Sequence, residues 1–192
     1  MFDASNFKTE LPKPETRSPA ELLKDEAWVR EALTRTAEHL RTIKGTKLAR
    51  SFNMDQTCAS PVDCDDVETK PFQCGAAACI GGHAYLLGLG LWLGAAIPQE
   101  QTDRASEFVA QMDRHWSFGL AGRGNYDLMP RYLQRLSNLF YPPGLSGYWE
   151  DIKPSEALKA IENYLNTDRI DPWDGVFKDN LIPRRERVTN AT

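Results

Sequence analysis

The sequence lacks close cysteine pairs, basic runs and any strong β pattern, and each absence removes a class of function. Four cysteines are spread through 192 residues as Cys58, Cys64, Cys74 and Cys79. None of them forms a Cys-x-x-Cys pair, the usual zinc or redox signature. Net charge is -4 with lysine and arginine spread among the acids, so the basic face of a nucleic-acid binder is missing. Residues 1–17 are polar and contain proline, without the apolar core of a secretory leader. A reducing cytoplasmic location is therefore expected, and structural disulfides are not. Three histidines, at 39, 83 and 115, limit the catalytic options further.

What is present is helical periodicity. Ser18-Pro19-Ala20-Glu21 combines a capping serine, an N1 proline and the glutamate of a capping box. Leu22, Val29, Leu33, Leu40 and Ile43 then recur on one stripe, which predicts a helix ending near Gly45. His39 lies beside that stripe as a boundary residue. Further helices are predicted over 99–112, 128–140 and about 152–166, the second of these with the stripe Met129, Tyr132, Leu133, Leu136 and Phe140. The expected fold class is mainly α. It is a compact bundle of about five helices over 18–166, with extended arms at 1–17 and 167–192. Either arm would suit docking on a partner.

The central element is "FQCGAAACIGGHAYLLGLG", Phe72 to Gly90. No charged residue occurs from Cys74 to Ile97, which raises the question of a membrane span. Six glycines and an alanine-based apolar content argue instead for a helix of about 74–93 buried by its neighbours. No membrane partner is expected.

Three chemistries are open to the cysteines: metal binding, disulfide pairing and nucleophilic catalysis. Cys79 and His83 are four apart and would share a helix face, with Cys74 near its start and Cys58 and Cys64 supplied by the acidic loop. Thiolates and imidazole suit zinc, though this spacing is no standard zinc motif. No cofactor is expected, with zinc as the alternative. Asp63, Asp65 and Asp66 lack the pattern of a calcium loop. A disulfide from Cys58 to Cys64, or from Cys74 to either, stays open. A thiol at a helix start is a better nucleophile. Cys74, followed by His115 and Asp127, thus superficially resembles the order of papain-like cysteine peptidases, but the strands that fold requires are lacking.

"FNM" (52–54), "CGAAACIGGHA" (74–84), "LSNLFYP" (136–142) and "YWEDIKPSEALKAI" (148–161) occur in an order that resembles a family of small phage and bacterial proteins. Those proteins carry a CG-T-x-x-C-x-x-G-x-A helix and have no established activity. Here Ala76 replaces the usual threonine, and His83 stands where tryptophan is common. The resemblance covers roughly 50–165 and implies a helical protein of phage or bacterial cytoplasmic origin, located in the bacterial cytoplasm or the phage virion. The expected function is therefore non-enzymatic, through contacts with a phage or host protein. A zinc- or thiol-dependent protein, including a cysteine hydrolase using Cys74, is the alternative.

Overall fold

A computed structural model describes residues 16–44, 52, 54, 79–91, 97–112, 129–142 and 149–177, and these fold as a mainly α structure. Six helices follow in order: α1 (Pro19–Lys24), α2 (Glu26–Ile43), α3 (Ile80–Gly88), α4 (Gln99–Ala110), α5 (Arg131–Phe140) and α6 (Pro154–Asn166). A single 3-10 turn, Trp149–Asp151, precedes α6.

The first helix starts where the capping residues place it. Ser18 Oγ accepts from the Glu21 amide at 3.3 Å, and the Glu21 carboxylate accepts from the Ser18 amide at 2.7 Å. The bond from the Ser18 amide foremost, and then that which Ser18 Oγ donates to the same carboxylate at 2.8 Å, hold the Glu21 carboxyl below its ordinary pKa. The single helix expected from 19 to 43 is broken at Asp25, whose φ and ψ are -92° and 90°. Its carboxylate accepts from the Trp28 amide at 3.0 Å and from Arg17 Nη1 at 2.9 Å, so Asp25 ends α1 and caps α2. The hydrophobic stripe hides this break because Leu22 and Val29 remain buried on both sides of it.

The apolar run behaves as a central helix but is shorter than expected. Cys79, with extended backbone, precedes α3, and the helix stops at Gly88. Gly90 takes φ 74°. The Leu91 amide then donates to Leu86 O at 2.9 Å and the Gly90 amide to Leu87 O at 3.0 Å, a Schellman ending. Every residue from Ile80 to Leu86 is buried. Nine helical residues rise about 13 Å, well short of a bilayer core. Among the described residues no helix is long and apolar enough to cross a membrane.

Neighbours explain why α3 is apolar all round. It packs against α2, α4 and α5, while α2 also packs on α6 and α1 on α4. Phe108 of α4 bridges these layers, with ring centroids 5.4 Å from Tyr85, 5.8 Å from Trp28 and 5.9 Å from Phe140. The glycines let backbones approach. A Cβ on Gly81 would lie 2.6 Å from Val109 Cγ2 and 3.0 Å from Phe140 Cδ2. One on Gly88 would lie 2.6 Å from Trp28 Cζ2 and 2.9 Å from Ala32 Cβ.

The expected stripes are otherwise confirmed, with Ala105, Phe108, Val109 and Met112 buried, as are Leu133, Leu136 and Phe140. Phe52 and Met54 also join the core. The expected C-terminal arm is different over its described part. Residues 167–177 fold back on α5 and α6, burying Trp173 and Val176.

Gly81→Ala is expected to destabilise the protein by about 1–3 kcal/mol through overpacking, although alanine is the better helix former by about 1 kcal/mol. Urea unfolding of Gly81→Ala, Val109→Ala and the double variant checks this. The double variant is expected to lose less than the sum of the two single losses, because removing Val109 Cγ2 makes room for the new methyl.

Candidate functional site

The sequence brings Cys79 and His83 together, but through a different atom than expected. Cys79 is not within the helix. Its carbonyl accepts from the His83 amide at 2.9 Å and lies 3.0 Å from His83 Nδ1. A carbonyl only accepts, so Nδ1 bears the hydrogen in this contact. His83 is fully buried, and the His39 ring of α2 comes within 5.5 Å of it, centroid to centroid. The Phe52 ring lies 5.8 Å away on another side. His39 is only partly buried, yet its Nε2 is enclosed and has no hydrogen-bond partner among the described residues. Burial lowers the His39 pKa from its ordinary 6.5. Two imidazoles thus meet at the α2–α3 interface.

Cys58, Cys64, Cys74, His115 and Asp127 lie outside the described residues. Among those described, no three His, Cys, Asp or Glu side chains converge as a metal site would require. The buried thiol of Cys79 is the described part of the expected cysteine set.

A second constellation was missed in the sequence. Arg131, Arg135 and Asn138 fall at i, i+4 and i+7 on one face of α5 and grip the backbone that leaves α6. Arg131 Nη2 donates to Asp168 O at 2.8 Å. Arg135 Nε donates to Arg169 O at 2.8 Å, and its Nη2 to Tyr164 O at 2.6 Å and to Thr167 O. Asn138 Nδ2 donates to Ile170 O at 2.9 Å. Four consecutive carbonyls of an irregular segment are therefore held by side chains. Asn163 Nδ2 extends the grip to Pro172 O at 2.8 Å, and Trp173 Nε1 donates to Leu139 O at 3.2 Å.

Arg135 is 6% exposed, so its charge needs compensation. The carbonyl end of α6 supplies the negative pole of the helix dipole. The guanidinium also lies 4.8 Å from the centroid of the Tyr164 ring. Asp168 Oδ1 is 4.0 Å from Nη1 and fully exposed, a weak contribution. Burial pushes the Tyr164 hydroxyl well above its ordinary pKa, and it donates to Tyr132 O at 3.2 Å. The outcome is a rigid, non-helical segment whose side chains at Asp168, Arg169 and Ile170 are exposed. Ile170, at 43%, is the one large hydrophobic residue exposed to that degree among the described residues.

No family model, curated protein or solved structure matches this chain.

Arg135→Met is expected to destabilise the fold by on the order of 3 kcal/mol, because buried carbonyls lose their donor. Hydrogen exchange should show residues 167–173 opening first. Arg135→Lys should recover little of this, since an ammonium cannot fork to several carbonyls at once.

Proposed function

We propose that this protein acts non-enzymatically through protein–protein contacts, as a phage-associated virion component or host-directed accessory protein, and that residues 167–171 form part of its contact surface. The observation that carries this reading is the grip of α5 on four consecutive carbonyls. A single exposed isoleucine is ordinary on any protein surface. A buried arginine spent on holding an irregular segment is not. Capping α6 accounts for the bonds to Tyr164 O and Thr167 O, but not for those to the carbonyls of 168, 169 and 170. Such a grip prepays the ordering cost that a loop otherwise incurs on binding. Exposed Asp168, Arg169 and Ile170 then offer one acidic, one basic and one aliphatic group in fixed positions.

The zinc- or thiol-dependent reading stays as the second. The observation that favours it is the approach of the His39 and His83 rings at one turn from Cys79. Stoichiometric zinc by elemental analysis of the purified chain would support it.

Affinity purification from phage-infected or host cells, with the captured protein identified and rebuilt as a purified pair, tests the leading reading. Ile170→Glu combined with Asp168→Lys is expected to weaken that pair at least tenfold while leaving the melting temperature within about 2 °C, as is usual for exposed substitutions. Unchanged affinity would remove this surface from the proposal. A chain that turns over a substrate and binds no protein would remove the proposal itself.

A further inference from the structure

Arg169 is an exposed cation that lies away from any helix. The other exposed lysines and arginines among the described residues lie in helices or directly beside a helix end. Arg169 instead sits in the irregular segment after α6, three residues past Asn166. Its guanidinium is held by a long 3.4 Å approach from Nη1 to Asp174 O. Exposed irregular segments are where peptidases nick folded chains, because they can be bound without unfolding a helix. An exposed arginine is also what the acidic specificity pocket of a trypsin-like serine peptidase accepts.

The main chain at this position opposes cleavage. Such a peptidase must draw the carbonyl oxygen of the arginine into its oxyanion hole. Arg169 O accepts from Arg135 Nε at 2.8 Å, and Arg135 is buried. The flanking carbonyls are held as well, Asp168 O by Arg131 Nη2 at 2.8 Å and Ile170 O by Asn138 Nδ2 at 2.9 Å. Downstream, Pro172 and Trp173 are buried, and the Trp173 amide donates to Asp171 Oδ1 at 2.9 Å. The segment thus offers the right side chain on a backbone that cannot enter a cleft until these bonds break. Arg17 shows the contrast. Its carbonyl is held by Arg104, but its side chain is also committed, to Asp25 at 2.9 Å, so neither half is on offer.

We infer that the Arg169–Ile170 peptide bond is a guarded cleavage site for trypsin-like serine peptidases, closed while α5 holds the Arg169 carbonyl and cut once that hold opens. Hydrolysis adds water across the bond, leaving a carboxylate on Arg169 and an amine on Ile170. The buried side chains of Trp173 and Val176 would then be tied to the helices by non-covalent contacts alone. The cut would also divide the surface at 167–171. The guard does not depend on any partner for that surface.

Limited digestion of the full chain with trypsin, with fragments identified by mass, tests the guard. When opening and closing are fast, the cutting rate follows the population of the open segment. Arg135→Lys cannot fork to several carbonyls. It is expected to accelerate cleavage after Arg169 at least tenfold, while cleavage after Arg35, in the middle of α2, changes less than about threefold. Should Arg135→Lys fail to fold, Arg131→Gln combined with Asn138→Ala keeps Arg135 and frees the two flanking carbonyls. That pair is expected to accelerate the same cut at least fivefold. Rapid cleavage after Arg169 in the wild-type chain, at a rate these variants do not raise, would overturn the inference. So would a parallel rise at Arg35 and Arg169, because the bond would then open only with the whole fold.

Discussion

The fold depends on how closely other helices can approach α3. A Cβ at Gly81 would intrude on Val109 of α4 and Phe140 of α5, and one at Gly88 on Trp28 and Ala32 of α2. The two glycines lie seven residues apart, about two helical turns. Each serves a different neighbour at a different level along the helix. Glycine lowers the intrinsic stability of α3, so the helix owes its existence to the elements around it. This also explains its composition. A helix enclosed from Ile80 to Leu86 has no solvent face on which to place charge.

Enclosing short helices creates a second problem, because helix ends carry carbonyls without intrahelical partners. Arginines answer it repeatedly. Arg30 of α2 donates to Leu165 O at the end of α6, and Arg35 makes a long 3.4 Å approach to Leu87 O at the end of α3. Arg135 does the same for α6 from within the core. Arg17, Arg35 and Arg41 form ion pairs near the surface, which contribute modestly. Arg30 and Arg135 instead tie the end of α6 to neighbouring helices, which couples the geometry of α6 and its following segment to that of α2 and α5.

This division of labour explains what could be read from the sequence. Hydrophobic spacing locates the long stripes, because Leu22, Val29, Leu33, Leu40 and Ile43 are selected by burial at a fixed period. It misses the break at Asp25, where the same stripe continues across two helices and only the backbone conformation changes. It also lengthens α3. Gly90 lies inside the expected 74–93 helix, whereas it supplies the positive φ that ends α3. The site was less legible still. An i, i+4 pair such as Cys79 and His83 points to shared side-chain chemistry, yet the atom that meets the imidazole is a backbone carbonyl. Arg131, Arg135 and Asn138 have the spacing of a face, but nothing in the residues says that their acceptors lie some 30 positions later.

Arg135 and the histidine pair are opposite solutions to burying a cationic or cation-forming group. Arg135 cannot shed its proton, so the fold surrounds it with carbonyl oxygens and the face of Tyr164. At the α2–α3 interface burial instead lowers the His39 pKa, and His83 directs Nδ1 at a backbone oxygen, Cys79 O, at 3.0 Å. Both arrangements set a side-chain nitrogen against a main-chain carbonyl at a helix terminus, so the packing of each depends on where that helix begins or ends.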